Sequence, residues 1–268
     1  MSAVETVLVT GASNGIGLEL ACEFARDGRV VAITGRDRAA LTQAAEEIGR
    51  AGASRVVAFV AELGNEAGID AFLAELEHSG LRVDVLVNNA GFGAHGDSLA
   101  LPAATELAVT FVHIIAPWRL TKALVPAMLQ RGRGGVLNVG SVYSFSPSPW
   151  QAVYGAGKAW VLSYSLALRE ELRGSGIVVT AVCPGATLSR FRPRLGLPNR
   201  ASWLSHTARE VAAQAYAGFR RGRAVVVPGA ANKLYVLATR ILPSWWIGRF
   251  VYYTAYRLRG MPVSPVSP

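Results

Sequence analysis

Short runs of Val, Ile, Leu and Ala recur through the chain, and almost every one is followed by a stretch with helical spacing. "TVLVT" leads into a helix from about Gly15 to Arg26, and "VVAIT" into a helix opening near Asp37, a side chain suited to N-capping. "RVVAFV", "VDVLV", "GVLNVGS" and "IVVTAVCP" repeat the pattern, Thr207 to Glu210 gives a T-x-x-E capping box, and "AVVVP" is the last strand. Strands that are apolar without alternation are buried on both faces. With a helix after each, right-handed crossovers join them into a parallel sheet covered on both sides. The expected fold is α/β, a doubly wound parallel sheet whose ligands bind at the carboxyl ends of the strands. No linker, repeat or low-complexity break divides the 268 residues. The expectation is one domain over 1–230, then a helical C-terminal extension and Pro/Ser-rich tail over 231–268.

The chain carries a net charge of +9. A basic balance suits nucleic acid, a membrane surface or an anionic ligand. The basic residues are scattered except near the C-terminus, and neither zinc-ligand spacing nor an RNA-binding aromatic signature is present, which argues against nucleic acid and a metal. Cys22 and Cys183 lie in apolar stretches and read as reduced, buried thiols. No signal peptide and no uninterrupted apolar run of membrane-spanning length is visible, so a cytoplasmic location is expected.

"TGASNGIG", Thr10 to Gly17, follows the first strand and opens the first helix. Gly11 lets the chain turn, and Gly15 and Gly17 keep side chains out of the way. A pyrophosphate then fits against the backbone around Ser13, Asn14 and Ile16 at the helix N-terminus. The second strand ends "ITGRD". A site for NAD usually holds an acid there to bind the ribose hydroxyls. Here Gly35 is uncharged, and the fork of Arg36 suits a 2′-phosphate, so NADP(H) is favoured over NAD(H).

Further motifs follow in order: "NNAG" at Asn88 to Gly91, Ser141 ending the fifth strand, "YGAGK" at Tyr154 to Lys158, thirteen residues on, and "PG" at Pro184–Gly185. Together they make the chain resemble the short-chain dehydrogenase/reductases from Thr6 to about Pro228. The resemblance implies a Rossmann-like sheet, nicotinamide-dependent oxidoreduction of a small-molecule substrate, and a homodimer or homotetramer. It also implies that Asn89, Ala90 and Gly91 line the adenine-ribose side. Glu62, followed by Leu63, stands where the family often has an adenine-contacting aspartate. Pro184, Gly185, Thr187 and Ser189 border the nicotinamide, Ser189 standing where a threonine often binds the carboxamide.

Residues four apart share a helix face, so Tyr154 and Lys158 are neighbours. A free phenol has a pKa of ~10, and a nearby ammonium is expected to lower it. Gly155, Ala156 and Gly157 are expected to leave room for nicotinamide and substrate. In the chemistry that the resemblance implies, Tyr154 exchanges a proton with the substrate oxygen, Ser141 hydrogen-bonds that oxygen, and Lys158 also holds the cofactor. Alignment of "IIAPWRLTKALVP" with the family pattern puts His113 where the family has an asparagine linking the lysine to solvent through a water. An imidazole that donates and accepts would take over that relay; a satisfied polar residue beneath the site is the other reading.

The loop "VYSFSPSPWQAV" is aromatic and proline-rich, and Phe92, His95, Tyr143 and Trp150, with Phe191 and Trp203, would wall an apolar pocket beside Ser141. The expected substrate is a ketone or aldehyde on an apolar, steroid- or lipid-like frame, reduced reversibly to an alcohol. A protein that binds NADP(H) as a sensor or scaffold, without turnover, is the competing reading. From Lys233 to Arg259 the chain is basic and aromatic with no acid. Such a segment covers a cleft or a subunit, or lies at a membrane surface.

Overall fold

The computed structural model describes residues 5–188 and 205–259, the last five by backbone alone. Strands β1 (Thr6–Val9), β2 (Val30–Gly35), β3 (Arg55–Val60), β4 (Val85–Asn88), β5 (Gly134–Val139) and β6 (Ile177–Val182) are followed by a short pair, β7 (Thr187–Leu188) and β8 (His206–Thr207), and by β9 (Val225–Val226). The main sheet is parallel throughout and ordered β3-β2-β1-β4-β5-β6-β9, while β7 pairs with β8 alone. The last strand foreseen in "AVVVP" is only two residues long. The helices are α1 (Gly15–Ala25), α2 (Arg38–Arg50), α3 (Glu66–His78), α4 (Ala103–Thr110), α5 (Ala116–Gln130), α6 (Ala152–Glu171), α7 (Ala208–Arg220), α8 (Ala230–Ile241) and α9 (Ser244–Arg259).

Every residue of β1 is buried, and its side chains divide between two cores. Val7 and Val9 pack with Phe24 of α1, Ile48 of α2 and Phe219 of α7. Leu8 packs on the other face with Phe72 of α3 and with Leu120 and Met128 of α5. This two-sided burial is why the strands read as unbroken apolar runs. Asp37 starts α2 as read from the sequence, accepting from the amides of Ala39 and Ala40 at 2.9 and 3.2 Å. Thr207 and Glu210 close the capping box of α7 at 3.2 and 2.8 Å. Cys22 and Cys183 are free and buried. Because the order reverses between β1 and β4, a crevice opens at their carboxyl ends, which is where a doubly wound sheet binds its ligand.

A π-helical turn, Phe111–Ile115, joins α4 to α5. Its cause lies in Pro117, which has no N–H to give the carbonyl of His113 four residues earlier and whose ring crowds that carbonyl. The helix widens there instead of continuing as α. By length and composition the run Ala103–Gln130 would cross a membrane, yet Val112, Leu120, Val125 and Met128 bury its inner face against the sheet, which makes it a core helix.

Candidate active site

The crevice begins with the glycine loop. Gly11 has φ 65°, and a Cβ there would lie 2.7 Å from the Cα of Ala90, so only glycine allows the loop so near β4. Gly15 also turns with positive φ. The first turn of α1, beyond Asn14, has no side-chain cap and no acid, which leaves its amides to an anion. Ser13 and Asn14 bond each other at 3.2 Å beside it, and Ile16 packs against the core. These features fit a dinucleotide pyrophosphate. Gly17 answers a different need from the one its spacing suggested. A Cβ there would lie 2.3 Å from Asn89 Nδ2, so this glycine seats α1 on the loop after β4.

That loop is clasped to the glycine loop by hydrogen bonds. Asn89 Nδ2 donates to the carbonyls of Thr10 and Gly11 at 2.9 and 3.1 Å. Thr10 Oγ1 accepts from the amides of Asn89 and Ala90, both at 3.0 Å. The side chain of Asn89 is thus engaged in holding the loop. Arg36 stands at the end of β2, its guanidinium 3.6 Å from the Glu62 carboxylate. Both are exposed, and such a pair is worth only about 0–1 kcal/mol, too little to keep Arg36 from a phosphate. Glu62 also accepts from the Gly64 amide at 2.7 Å, while the Leu63 side chain is buried in the core. The Arg36 guanidinium lies 5.7 Å from the ring centroid of Phe92.

Ser141 is buried at the mouth of β5 and caps a short 3-10 turn, accepting from the Tyr143 amide at 3.2 Å. The Tyr154 phenol, on the first turn of α6, lies beside the Ser141 side chain. Lys158 is one turn on, buried, its Nζ donating to the Val139 carbonyl at 2.6 Å and lying 5.7 Å from the Tyr154 ring centroid. Here a second correction enters. Burial pushes the Tyr154 phenol well above its usual value, and the nearby Ser141 hydroxyl offsets only part of that. Burial likewise brings the Lys158 ammonium down to about 8. In this arrangement burial outweighs what its neighbours do to acidify the phenol, and the phenol is held protonated. Nor do the glycines of "YGAGK" clear a path for nicotinamide. A Cβ on Gly155 would meet Ser148 Oγ at 2.5 Å, and one on Gly157 would meet the Cβ of His113 at 3.2 Å.

His113 is buried in the π-helical turn. Its Nε2 donates to the Phe92 carbonyl at 2.7 Å, its ring meets the Tyr154 ring edge-on, and Gly91 lies so close that a Cβ would sit 2.4 Å from its Cε1. Burial, with the Lys158 charge, holds the imidazole pKa well below the ordinary value, so the ring stays neutral. The expected dual role is narrowed accordingly: the donor is already given to Phe92, leaving Nδ1 as an acceptor. Beside His113, Pro117 and Lys158 lies a cavity of about 10 Å³, the room of one water. It is also lined by Asn88, whose Oδ1 is buried without a hydrogen-bond partner among the described residues. The Asn88 amide donates to Asn138 at 2.8 Å, and Asn138 to Ser165 at 2.9 Å, a polar chain under the site.

Tyr143 lies close to Tyr154. Trp150 has φ 68°, stacks on Tyr252 of α9, and accepts at its carbonyl from Gly96 at 2.9 Å, tying down the loop that carries His95. The Pro184 carbonyl accepts from the Val142 amide at 2.9 Å, Gly185 packs on Asn232, and Thr187 lies in β7. Ser189, Phe191 and Trp203 lie outside the described residues. Ser144 escaped the sequence reading: its Oγ accepts from the Ser141 amide at 3.1 Å and donates to the Lys158 carbonyl at 2.7 Å. The signal was present, since Ser141 and Ser144 have the spacing of a capping box directly after a strand.

Residues 5–197 match the family described as short chain dehydrogenase. The ketoacyl reductase HetN of Nostoc sp. is 30% identical over 181 residues, covering 68% of this chain, which spans 63% of that protein's length. A short-chain dehydrogenase from Sphingobium yanoikuyae, solved in complex with NADPH, has a TM-score of 0.79 at 30% identity, covering 98% of this chain and 99% of that one. A bulky-bulky ketone specific alcohol dehydrogenase from Comamonas testosteroni has a TM-score of 0.75 at 26% identity, covering 99% and 98%.

The lysine's burial sets a stability test. Its ammonium is brought from 10.5 to about 8, so between those values the folded chain binds fewer protons than the unfolded chain and stability rises with pH. Below about 8 the full cost of the buried charge is present. The stability advantage of Lys158→Met at neutral pH is expected to shrink by up to about 3 kcal/mol as the wild-type lysine loses its proton. Urea unfolding of both proteins from neutral to alkaline pH measures it, and a pH-independent gap contradicts the assignment.

Proposed function

The chain belongs to the short-chain dehydrogenase/reductase family, and we propose that within it this NAD(P)-dependent oxidoreductase is an NADPH-dependent reductase of bulky, apolar ketones or aldehydes. The observation that carries this reading is the placement of Tyr154 beside Ser141 and a buried Lys158. When bound, a reduced nicotinamide dinucleotide supplies a hydride. Ser141 holds the carbonyl oxygen by its hydroxyl. Tyr154, kept protonated by burial, gives its proton to that oxygen as negative charge develops there. Lys158 stabilises the phenolate that remains. Uncapped amides at the head of α1 bind the pyrophosphate, and Arg36 takes the 2′-phosphate in exchange for Glu62. The aromatic loop around Trp150 supports an apolar substrate, and the bulky-bulky ketone named for the Comamonas protein supports a bulky one.

We further assign a water to the cavity beside Lys158, donating to Asn88 Oδ1 and accepting from the lysine, so that the phenolate can be reprotonated from solvent. His113 acts there as a neutral acceptor and as the side chain that fills the π-helical turn.

Tyr154→Phe should lower ketone reduction at least a hundredfold while NADPH still binds, by the usual worth of a positioned acid. Turnover like the wild type's would move the proton to another group, and a protein without turnover in either form would be a sensor. Arg36→Ala should weaken NADPH about tenfold or more and leave NADH unchanged, since a charged hydrogen bond is lost; equal effects on both cofactors in a titration contradict the assignment. For His113→Ala we expect a lower kcat with an altered pH profile, and in the wild type no inflection at ordinary histidine pH. A kcat unchanged at every pH removes His113 from the relay.

A further inference from the structure

Glu210 is the last acid of the chain; eight Arg and Lys residues follow it, against a net charge of +9 for the whole protein. Nearly all the excess charge therefore belongs to the region from α7 onward. Four of these cations, Arg221, Arg223, Lys233 and Arg240, line a groove of about 500 Å³ between α7, β9 and α8. Its floor is apolar, formed by Val225, Val226 and Val236 among others.

Next to the groove the chain exposes large apolar side chains. Leu234, Leu237 and Ile241 of α8 are 68, 53 and 72% exposed, and Leu237 also lines the groove. On α9, Trp246, Phe250 and Tyr253 recur at spacings of four and three, on one face, and are 55, 63 and 47% exposed. Trp245 meets Trp246 edge-on at the corner between the helices. The Arg249 guanidinium lies 5.8 Å from the Tyr253 ring centroid, a cation within the aromatic face. The opposite side of α9 is the packed one, burying Ile247 and Val251.

We propose that α8 and α9 dock this enzyme on an anionic lipid surface, the Leu and aromatic side chains entering the interface and the groove cations meeting phosphate headgroups. Charge complementarity selects the occupant. A second copy meeting this patch across a two-fold axis would set like charges against each other. A polyanion without an apolar phase would leave the Trp and Leu side chains in water. An anionic bilayer satisfies both halves of the patch. The inner side of the same helices braces the catalytic loop: Tyr235 shares a 2.6 Å hydrogen bond with Ser146, Gly248 packs on Pro147, and Tyr252 stacks on Trp150. The docking face is therefore the outer surface of the wall around the site, whatever substrate that site takes.

Co-sedimentation of the full chain with phosphatidylcholine vesicles, with and without phosphatidylglycerol, tests this. Binding is expected to the anionic vesicles only and to weaken with salt. Lys233→Glu with Arg240→Glu should lower the partition coefficient about tenfold or more, each cation near such a surface being worth several-fold. Trp246→Ser with Phe250→Ser should also lower it, while the remaining binding keeps its salt dependence. Circular dichroism and thermal melting establish that each variant is folded, independently of any catalytic activity. Equal binding to both vesicle types, or binding unaltered in both folded double variants, overturns the proposal. So does a wild type that ignores vesicles and forms an oligomer which Trp246→Ser with Phe250→Ser dissociates in light scattering.

Discussion

One buried hydroxyl joins the two halves of the candidate active site. Ser144 Oγ receives the amide of Ser141 and gives its proton to the carbonyl of Lys158, so the end of β5 and the first turns of α6 are fixed to each other. Without it a buried amide would lose its partner, at about 1–3 kcal/mol. More to the point, Ser141 and Tyr154, which lie side by side, could then move apart. The Val142 amide, bonded to the Pro184 carbonyl at 2.9 Å, ties the same turn to the end of β6. Ser141, Tyr154 and Lys158 thus stand at the end of β5 and the start of α6, and both are tied to each other and to β6.

Burial governs the protonation states here more than neighbouring charge does. It raises the Tyr154 phenol and lowers both the Lys158 ammonium and the His113 imidazole. The result is a loaded proton donor, a lysine close to its titration range and a neutral histidine. That set suits delivery of a proton to a forming alkoxide, which is a strong base, and then refilling of the phenol near neutral pH. The π-helical turn has a related origin: Pro117 withdraws a donor from His113, and the helix opens beside the lysine where a water-sized cavity lies.

The sheet was legible because two-sided burial writes itself as continuous Val and Ile runs, and the glycine loop because its turn and close approach leave few alternatives to glycine. Asp37 and Thr207 were legible as caps for the same local reason. What depends on neighbours distant in the chain was not. Spacing put Lys158 beside Tyr154 but carried no measure of how deeply both are buried. Composition made Phe92 an aromatic of the site but could not show that its ring lies beside Arg36. The glycines of "YGAGK" looked like space for a cofactor and instead face Ser148 and His113. Ser144 looked like one of several loop serines. The basic, aromatic C-terminal segment was visible as such, but only the fold separates the face that braces Trp150 from the face that meets solvent.

The central claim is that this arrangement turns over a carbonyl and does not merely bind a dinucleotide. Following nicotinamide absorbance while NADPH is offered with bulky aryl and steroid ketones, and quantifying the alcohol formed, tests it most directly. The account requires NADPH consumption matched by alcohol for at least one such ketone. Tight NADPH binding with no consumption across the series would contradict it.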